Sequence, residues 1–352
     1  MLTEFSPVSL QRPRAARTPV SGVLLINWAA LLLTGVVLAL NVGCGAVSNT
    51  AGQQREQRRE RRVNNQSPDG VNPGATGQTK MPDINVEKKE PTASTPFYAE
   101  LKKALRVRKL KLELVCDMSN PVSRRVLEDY GAMFLAATRV TPPPVCVFRS
   151  EEEVSEFQTR AKFTAAVIGG DQIELQPAAM SALLAAREEA RELGLNITPR
   201  GGSEAATRSY QDTFRLWNTR FLPALKYWNS RGRLSKEQVT ILRRLPLSEQ
   251  VREVLELEKS GIFFSKDFSK SILYSIAAPG TSQHLAMLAL DVEQFADERV
   301  RRILARHGWF QTVKSDLPHF TYLGLKEKDL SARGLRPLIS GRQLFWIPNI
   351  GE

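Results

Sequence analysis

Four side chains in the last quarter of this sequence have the types and spacing of a metal site. Two of the three histidines, His284 and His319, lie there, with Asp291 seven residues after the first and Asp316 three before the second. Two imidazoles and one carboxylate are a common ligand set for catalytic zinc, which keeps water in its fourth position. A second carboxylate nearby is the usual general base. The spacing therefore predicts zinc at His284, Asp291 and His319, with Asp316 as the base.

The segment around His284 resembles the first motif of the D-alanyl-D-alanine carboxypeptidase family of zinc peptidases. That family belongs to the superfamily that also includes lysostaphin and the Sonic hedgehog domain. Its motif is Ser-x-His-x-x-Gly-x-Ala-x-Asp. Here Ser282, His284, Ala289 and Asp291 match in register, and Met287 stands where the family has glycine.

Two further segments extend the resemblance over roughly residues 195–325. The family carries Glu-x-x-His, and this chain has Asp316 and His319 at those positions, so an aspartate replaces the catalytic glutamate. The family also carries an Arg-Ser pair followed by a glutamine, which Arg208 and Gln211 match. The resemblance implies that Arg208, Gln211 and Ser282 contact the substrate.

The resemblance implies a zinc-dependent peptidase that cuts the peptide stems or cross-bridges of bacterial peptidoglycan. It does not separate a carboxypeptidase, which removes a terminal D-alanine, from an endopeptidase. Aspartate is one methylene shorter than glutamate, so a second hypothesis stays open at Asp316. Under that hypothesis the chain is a catalytically silent envelope protein that binds wall peptides through the same fold.

The folded part is expected to be α+β, with a small antiparallel sheet that carries the zinc site and helices packed on it. We assign residues 96–195 to an α/β N-terminal subdomain without catalytic chemistry. Residues 196–352 form the zinc peptidase-like domain, which contains a helical insertion around 212–270. The role of the subdomain and the oligomeric state are left open.

Local patterns predict the individual elements. Apolar alternation predicts a hairpin within 163–176, while helical spacing and composition predict a helix over 177–193 and another from 203 to about 228 that includes Arg208 and Gln211. Further strands are predicted at 110–116, 145–148, 196–200, 272–277, 288–292, 309–313 and 319–323. A spacing of seven would put His284 and Asp291 on opposite faces of a regular strand, so His284 is expected in an irregular turn. Cys116 and Cys146 either form a disulfide or stay free thiols.

Residues 1–45 read as a signal or membrane-anchor segment. An uncharged, largely apolar run over 23–40 follows three arginines, and Asn41-Val-Gly-Cys44 resembles a lipoprotein cleavage box. A lipid anchor, an uncleaved span and a cleaved signal all remain open. Arginines within 55–62 favour a cytoplasmic main domain by the positive-inside rule. We expect export nonetheless, to the extracytoplasmic side of the cell envelope with attachment to the membrane, because the first arginines make an ordinary signal start.

Residues 46–95 are rich in polar residues, glycine and proline, which predicts a disordered tether. The chain carries a formal charge of +12. Its basic residues are interspersed with carboxylates outside any compact basic block, which predicts a solvated basic surface and no nucleic-acid partner.

Overall fold

The computed structural model describes residues 95–351. The predicted signal or anchor segment, Cys44 and the tether up to residue 94 lie outside the described residues. Among the helices of the described part, none is both long enough and apolar enough to cross a membrane. The α-helices are α1 Pro96–Val107, α2 Leu112–Val115, α3 Pro121–Tyr130, α4 Glu151–Ala161, α5 Pro177–Glu192, α6 Tyr210–Ser230, α7 Lys236–Arg244, α8 Leu247–Lys259 and α9 Glu298–Arg306.

Small antiparallel sheets accompany these helices. The strands are β1 Thr164–Ile168, β2 Asp171–Leu175, β3 Ala289–Asp291, β4 Trp309–Phe310, β5 His319–Tyr322, β6 Leu335–Ser340 and β7 Gln343–Pro348. β1 pairs with β2 and β6 with β7, while β5 lies between β3 and β4. The predicted α+β class, with helices and small antiparallel sheets, is confirmed.

Several elements form where the sequence signals indicate. Gly169 and Gly170, with φ of +66° and +97°, make the tight turn between β1 and β2, because two-residue hairpin turns need left-handed residues. The predicted helix over 177–193 is α5. Asn120 begins α3 by accepting hydrogen bonds from Val122 and Ser123 backbone nitrogens at 2.9 and 3.4 Å.

One apolar core joins the part before residue 195 to the sheet that holds the predicted ligands. Phe134, Phe157 and Leu183 from the first part lie in the same buried cluster as Leu290 and Phe320 from β3 and β5. Residues 96–195 therefore pack directly on the sheet of β3, β4 and β5.

The helices α6, α7 and α8 enclose a second core. Trp217 and Phe221 stack with ring centroids 6.3 Å apart, and Phe221 stacks on Phe264 at 6.1 Å. All three rings are buried. The apolar stripe on α6 is thus a packing face, and the helical segment has a core of its own.

The predicted strands at 110–116 and 145–148 are wrong. Leu112 and Val115 are buried while Leu114 is 75% exposed, which is a helical spacing of three, and this segment contains α2. At 145–148, the backbone nitrogen of Cys146 donates to Val115 oxygen and that of Phe148 donates to Gly280 oxygen. Because these acceptors lie in two different segments, 145–148 does not pair with a neighbouring strand.

Cys116 and Cys146 form a disulfide across 30 residues of chain. The backbone nitrogen of Cys146 also donates to Val115 oxygen at 2.7 Å. The two alternatives left open by the sequence are therefore decided in favour of the bond, which fastens α2 to the segment that leads into α4.

The predicted strands at 272–277 and 196–200 are also wrong. Ser271 caps a short 3₁₀ turn at Ile272–Tyr274 by accepting a hydrogen bond from Leu273 nitrogen, which commits the backbone to a turn. At 196–200 a single bridge joins Pro199 to Val292, and proline cannot donate to a longer ladder.

The helix predicted to begin near residue 203 begins at Tyr210. Ser209 and Asp212 form a reciprocal capping box, with Ser209 nitrogen donating to the Asp212 carboxylate at 2.9 Å. A separate 3₁₀ turn occupies Gly202–Ala205. Arg208 therefore lies just before α6 rather than on it.

Candidate metal centre

His284 lies in a 3₁₀ turn, Gln283–Ala286, as the seven-residue spacing predicts. The hydroxyl oxygen of Ser282 accepts a hydrogen bond from His284 nitrogen at 3.4 Å and caps the turn. Met287 ends it with φ of +54°, in the left-handed region, and β3 follows. The turn, and not a regular strand, brings His284 to the same side as Asp291.

Asp291 and His319 are direct cross-strand partners. Asp291 ends β3, His319 begins β5, and the two are paired in the antiparallel register. Opposite residues on one face of such a pair lie close enough for their side chains to meet. The sheet therefore positions two of the three predicted ligands, and the turn positions the third.

The three predicted ligands converge on one point. His284 Nε2 lies 3.1 Å from His319 Nδ1 and 3.4 Å from Asp291 Oδ1, and His319 Nδ1 lies 3.2 Å from the same oxygen. His284 and His319 are 1% and 4% exposed. His284, Asp291 and His319 form a buried group that could hold a metal ion.

Hydrogen bonds behind the ligands assign their tautomers. His284 Nδ1 faces the carbonyl oxygen of Ala206 at 3.2 Å, and His319 Nε2 faces Gln283 Oε1 at 2.8 Å. The amide orientation of Gln283 is fixed because its nitrogen donates to the carbonyl oxygen of Tyr130 at 2.8 Å. Each ring thus donates its proton away from the centre, and the lone pairs of His284 Nε2 and His319 Nδ1 point inward.

This arrangement fits a tetrahedral cation. Two imidazole lone pairs and a carboxylate oxygen are all acceptors, so without a cation or proton among them they repel one another. Ligands at about 2.0–2.1 Å from zinc occupy tetrahedral corners about 3.3–3.4 Å apart. The separations of 3.1–3.4 Å at His284, Asp291 and His319 agree with that requirement and leave a fourth corner open.

Electrostatics keep the ligands in their metal-binding protonation states. Burial, with the nearby positive charge of Arg208, lowers the pKa of His284 to about 4. Burial acts to raise the pKa of Asp291, but the charge and hydrogen bond that either imidazole supplies when it is protonated in place of a metal outweigh burial and hold that pKa well below its usual value. A neutral His284 and an ionised Asp291 are the forms that bind metals.

Arg208 supports a predicted ligand directly. Its Nη2 donates to Asp291 Oδ2 at 2.9 Å, and its Nε donates to the carbonyl oxygen of Glu204 at 3.0 Å. The bond to Asp291 leaves Oδ1 facing the histidines. Arg208 also lines the cleft over the metal centre, so it reaches both the ligand and the space where a substrate would lie.

Ser282 and Asp316 line the same cleft as His284 and His319. Asp316 is exposed at its rim. Protein packed around the carboxyl limits its hydration and raises the pKa of Asp316; a protonated His319 opposes this rise, and the negative charge of Asp291 adds to it. Because water reaches the rim, solvent screens these charges.

Gln211 is the one predicted site residue that the structure brings neither to the cleft nor to the group of His284, Asp291 and His319. It lies exposed in the first turn of α6, and its backbone nitrogen donates to Glu151 Oε2 at 3.0 Å. The residues that line the cleft in the described part of the chain do not include it.

Sequence reasoning missed three glutamines whose hydrogen bonds hold the turn that carries His284. Besides Gln283, Gln158 donates to the carbonyl oxygens of Arg208 and Leu285 at 3.0 and 3.2 Å, and Gln176 donates to that of Ala286 at 2.9 Å. Gln158 and Gln176 belong to residues 96–195, which therefore brace the turn that carries His284. Adjacency to a candidate ligand singles out Gln283 in the sequence; nothing comparable marks Gln158 or Gln176.

Comparison of the chain with models of protein families gives no match, and comparison with curated proteins gives none either. The geometry of the site and the resemblance of its motifs therefore remain the two indications of function.

Proposed function

We propose that this chain is a zinc-dependent peptidase of the cell envelope that acts on peptides of bacterial peptidoglycan. The observation that carries the proposal is the convergence of three acceptors, His284 Nε2, His319 Nδ1 and Asp291 Oδ1, within 3.4 Å of one another. Buried acceptors oriented in this way form a cation site, and two imidazoles with one carboxylate favour zinc.

The backbone at Met287 supports the resemblance to the D-alanyl-D-alanine carboxypeptidase family. The family motif has glycine at this position, and Met287 has a left-handed φ of +54°. Glycine adopts that conformation without strain, whereas a residue with a Cβ atom pays for it. A turn of this shape therefore accounts for the glycine of the motif.

A few residues carry out the proposed chemistry, each with its own role. Zinc, when bound by His284, Asp291 and His319, supplies a Lewis acid for a peptide carbonyl and lowers the pKa of water. Asp316 accepts a proton on its carboxylate from the attacking water and transfers it to the nitrogen of the leaving amine. Arg208 keeps Asp291 oriented and presents its remaining N–H groups toward the cleft.

The disulfide between Cys116 and Cys146 supports an exported protein. Disulfides persist in oxidising compartments and are rare in the cytosol. Together with the apolar run over 23–40 and the cleavage box at Cys44, the bond favours the extracytoplasmic side of the envelope, with attachment to the membrane through the N-terminal segment.

A second candidate function is that of a silent protein that binds wall peptides. The observation that favours it is Asp316, whose side chain is one methylene shorter than that of the glutamate in the family motif. In that case the metal site and cleft would serve binding alone.

The test combines metal content with hydrolysis of muropeptides by the purified full chain. The peptidase predicts about one zinc per chain, with metal lost in His284→Ala and turnover lost in Asp316→Ala. The control is His307→Ala, because His307 is the remaining histidine and pairs with Glu189 at 2.8 Å on the surface. Metal and peptide binding without turnover would favour the silent protein, and absence of metal would refute both.

A further inference from the structure

The cleft over the candidate metal centre adjoins two further pockets. Arg208 lines both the cleft and one neighbouring pocket. Tyr130, Tyr274 and Ser315 line both the cleft and the other pocket. The two flanking pockets have no lining residue in common. The candidate metal centre thus has a neighbouring pocket on each of two sides, and these two pockets together with the cleft are called the path below.

The pocket beyond Arg208 is a polar groove. Its lining includes Gln172, Glu174, Ser203, Thr207 and Ser209, and contains no apolar side chain among the described residues. Such a surface offers hydrogen bonds to a peptide backbone and to polar side chains, and it has no hydrophobic residue to favour a large apolar group.

The pocket beyond Tyr274 carries both signs of charge. Arg125 and Asp129 pair across its wall at 2.5 Å, and Glu128 accepts a hydrogen bond from Tyr98 at 3.0 Å. Lys314 adds an exposed cation. A ligand segment that enters here meets charged groups beside apolar side chains, which include Leu273, Val313 and Ile347.

The central cleft is too small to hold a whole ligand. Its volume is about 120 Å³, whereas small-molecule sites typically have about 300–1,000 Å³. A substrate bound at the metal centre must therefore continue into at least one flanking pocket.

The cleft itself offers a terminal carboxylate one cation, which is shared with Asp291. A carboxypeptidase needs a positive group beside the reacting bond to bind the free end of its substrate. Among the described residues that line the cleft, Arg208 is the one arginine or lysine, and it is paired with Asp291 at 2.9 Å. A free carboxylate would therefore compete with Asp291 for Arg208, and Lys314 lies outside the cleft in the pocket beyond Tyr274, whereas an internal amide needs no cation.

We propose that the site cuts an internal amide of an extended peptide that occupies both flanking pockets, an inference that rests on the proposed peptidase function. One water is consumed as the C–N bond breaks. Its oxygen joins the carbonyl carbon to give a carboxylate on one fragment, and a proton passes to nitrogen to give an amine on the other. The enzyme is thus an endopeptidase, and cross-bridged peptides are its substrate class.

The test compares two purified substrates with the zinc-loaded full chain. One is a cross-linked muropeptide dimer, and the other is a monomer with a free terminal D-Ala-D-Ala. An endopeptidase converts dimer to monomers at least about tenfold faster, as kcat/KM, than it releases terminal D-alanine. Release of terminal D-alanine as the preferred reaction would overturn the inference and leave the peptidase standing.

A binding measurement separates this inference from the peptidase proposal. Asp316→Asn, loaded with zinc, is titrated by calorimetry with the dimer and with fragments trimmed on either side of the bridge. Trimming either side should weaken binding at least about tenfold if both pockets are occupied. Equal affinity for the dimer and a one-sided fragment would overturn the extended site even if no peptide is hydrolysed.

A blocking substitution tests the polar groove itself. Ser203→Trp places a bulky side chain at an exposed position of the groove, and should raise the KM for the dimer at least about fivefold with little change in metal affinity. Ser331→Trp is the matched control, since Ser331 is an exposed serine in another 3₁₀ turn away from the path. Equal KM values in the two variants would count against the groove.

Discussion

Gln283 orients His319 through a hydrogen bond of 2.8 Å between His319 Nε2 and Gln283 Oε1. The other end of the amide donates to the carbonyl oxygen of Tyr130, also at 2.8 Å, so the amide cannot rotate without losing both bonds. Thr321 donates to the same Oε1. The residue next to one predicted ligand, His284, therefore fixes the tautomer and direction of another.

Replacing Gln283 by leucine should weaken metal binding. Loss of the acceptor frees His319 to rotate or to adopt the wrong tautomer, and changes of this kind typically cost about 10–100-fold in metal affinity. Competition titration with a chelator measures the change.

Gln250→Leu is the matched control for that experiment. Gln250 is also a buried glutamine with both ends bonded, to Trp217 at 2.8 Å and to the carbonyl oxygen of Leu242 at 3.1 Å, but it lies in the helical core. It should lower the free energy of unfolding and leave metal affinity unchanged. Equal metal affinities in the Gln283 and Gln250 variants would remove the orienting role of Gln283.

The ligand set could be predicted because it depends on residue type and short spacing. His284, Asp291 and His319 lie within 36 residues, and the irregular turn at His284 follows from strand geometry. The groups behind them could not be predicted. Gln283 bonds to a backbone carbonyl 153 residues away at Tyr130, and the sequence carries no mark of such a contact.

The errors in local structure have the same origin. The segment 110–116 alternates in sequence, but burial of Leu112 and Val115 against the core follows a spacing of three, so packing overrides the alternation. Arg208 was predicted on a helix as a substrate contact. Its bond to Asp291 spans 83 residues and depends on where β3 ends, which the sequence does not reveal.

The metal-free protein should lose stability as the pH falls from about 6.5 toward 4. The pKa of His284 is lowered from its ordinary 6.5 to about 4 by burial. In that window the unfolded chain binds a proton that the folded chain excludes, so the free energy of unfolding falls by about 1.4 kcal/mol per pH unit, or roughly 3 kcal/mol in all. Above pH 6.5 both states are neutral and the contribution is complete.

Urea denaturation at several pH values, with metal removed by a chelator, measures this loss. His284→Gln provides the comparison, because it removes the titrating imidazole. Over the same window, the slope of its unfolding free energy against pH should be smaller by the amount that corresponds to about one bound proton. An unchanged slope in the variant would mean that His284 is not the group responsible.

Removing the disulfide should destabilise the fold without touching the ligands. The Cys116–Cys146 bond closes a loop of 30 residues, and the loss of such a cross-link costs roughly 3–4 kcal/mol through the greater freedom of the unfolded chain. Replacing both cysteines by alanine should lower the urea midpoint by the corresponding amount. Dithiothreitol should lower the stability of the unaltered protein and leave the double variant unchanged; an effect on both would point to another cause.

Gly280 should not tolerate a side chain, because its backbone packs closely against the backbone of Phe148 in the segment that leads to His284. Gly280 has φ of +77°, and a Cβ atom would lie 2.0 Å from the carbonyl oxygen of Phe148, whose nitrogen donates to Gly280 oxygen at 2.9 Å. Gly280→Ala should therefore lower the free energy of unfolding by about 3 kcal/mol or more and reduce metal affinity, since His284 follows four residues later.

Gly170→Ala is the control. Gly170 has φ of +97° and no atom within 4 Å of the added Cβ, so this substitution should lower the free energy of unfolding by only about 1–2 kcal/mol and leave the metal bound. Denaturation and metal titration of the two variants measure the difference, and equal losses would show that backbone strain alone, and not the contact with Phe148, sets the cost.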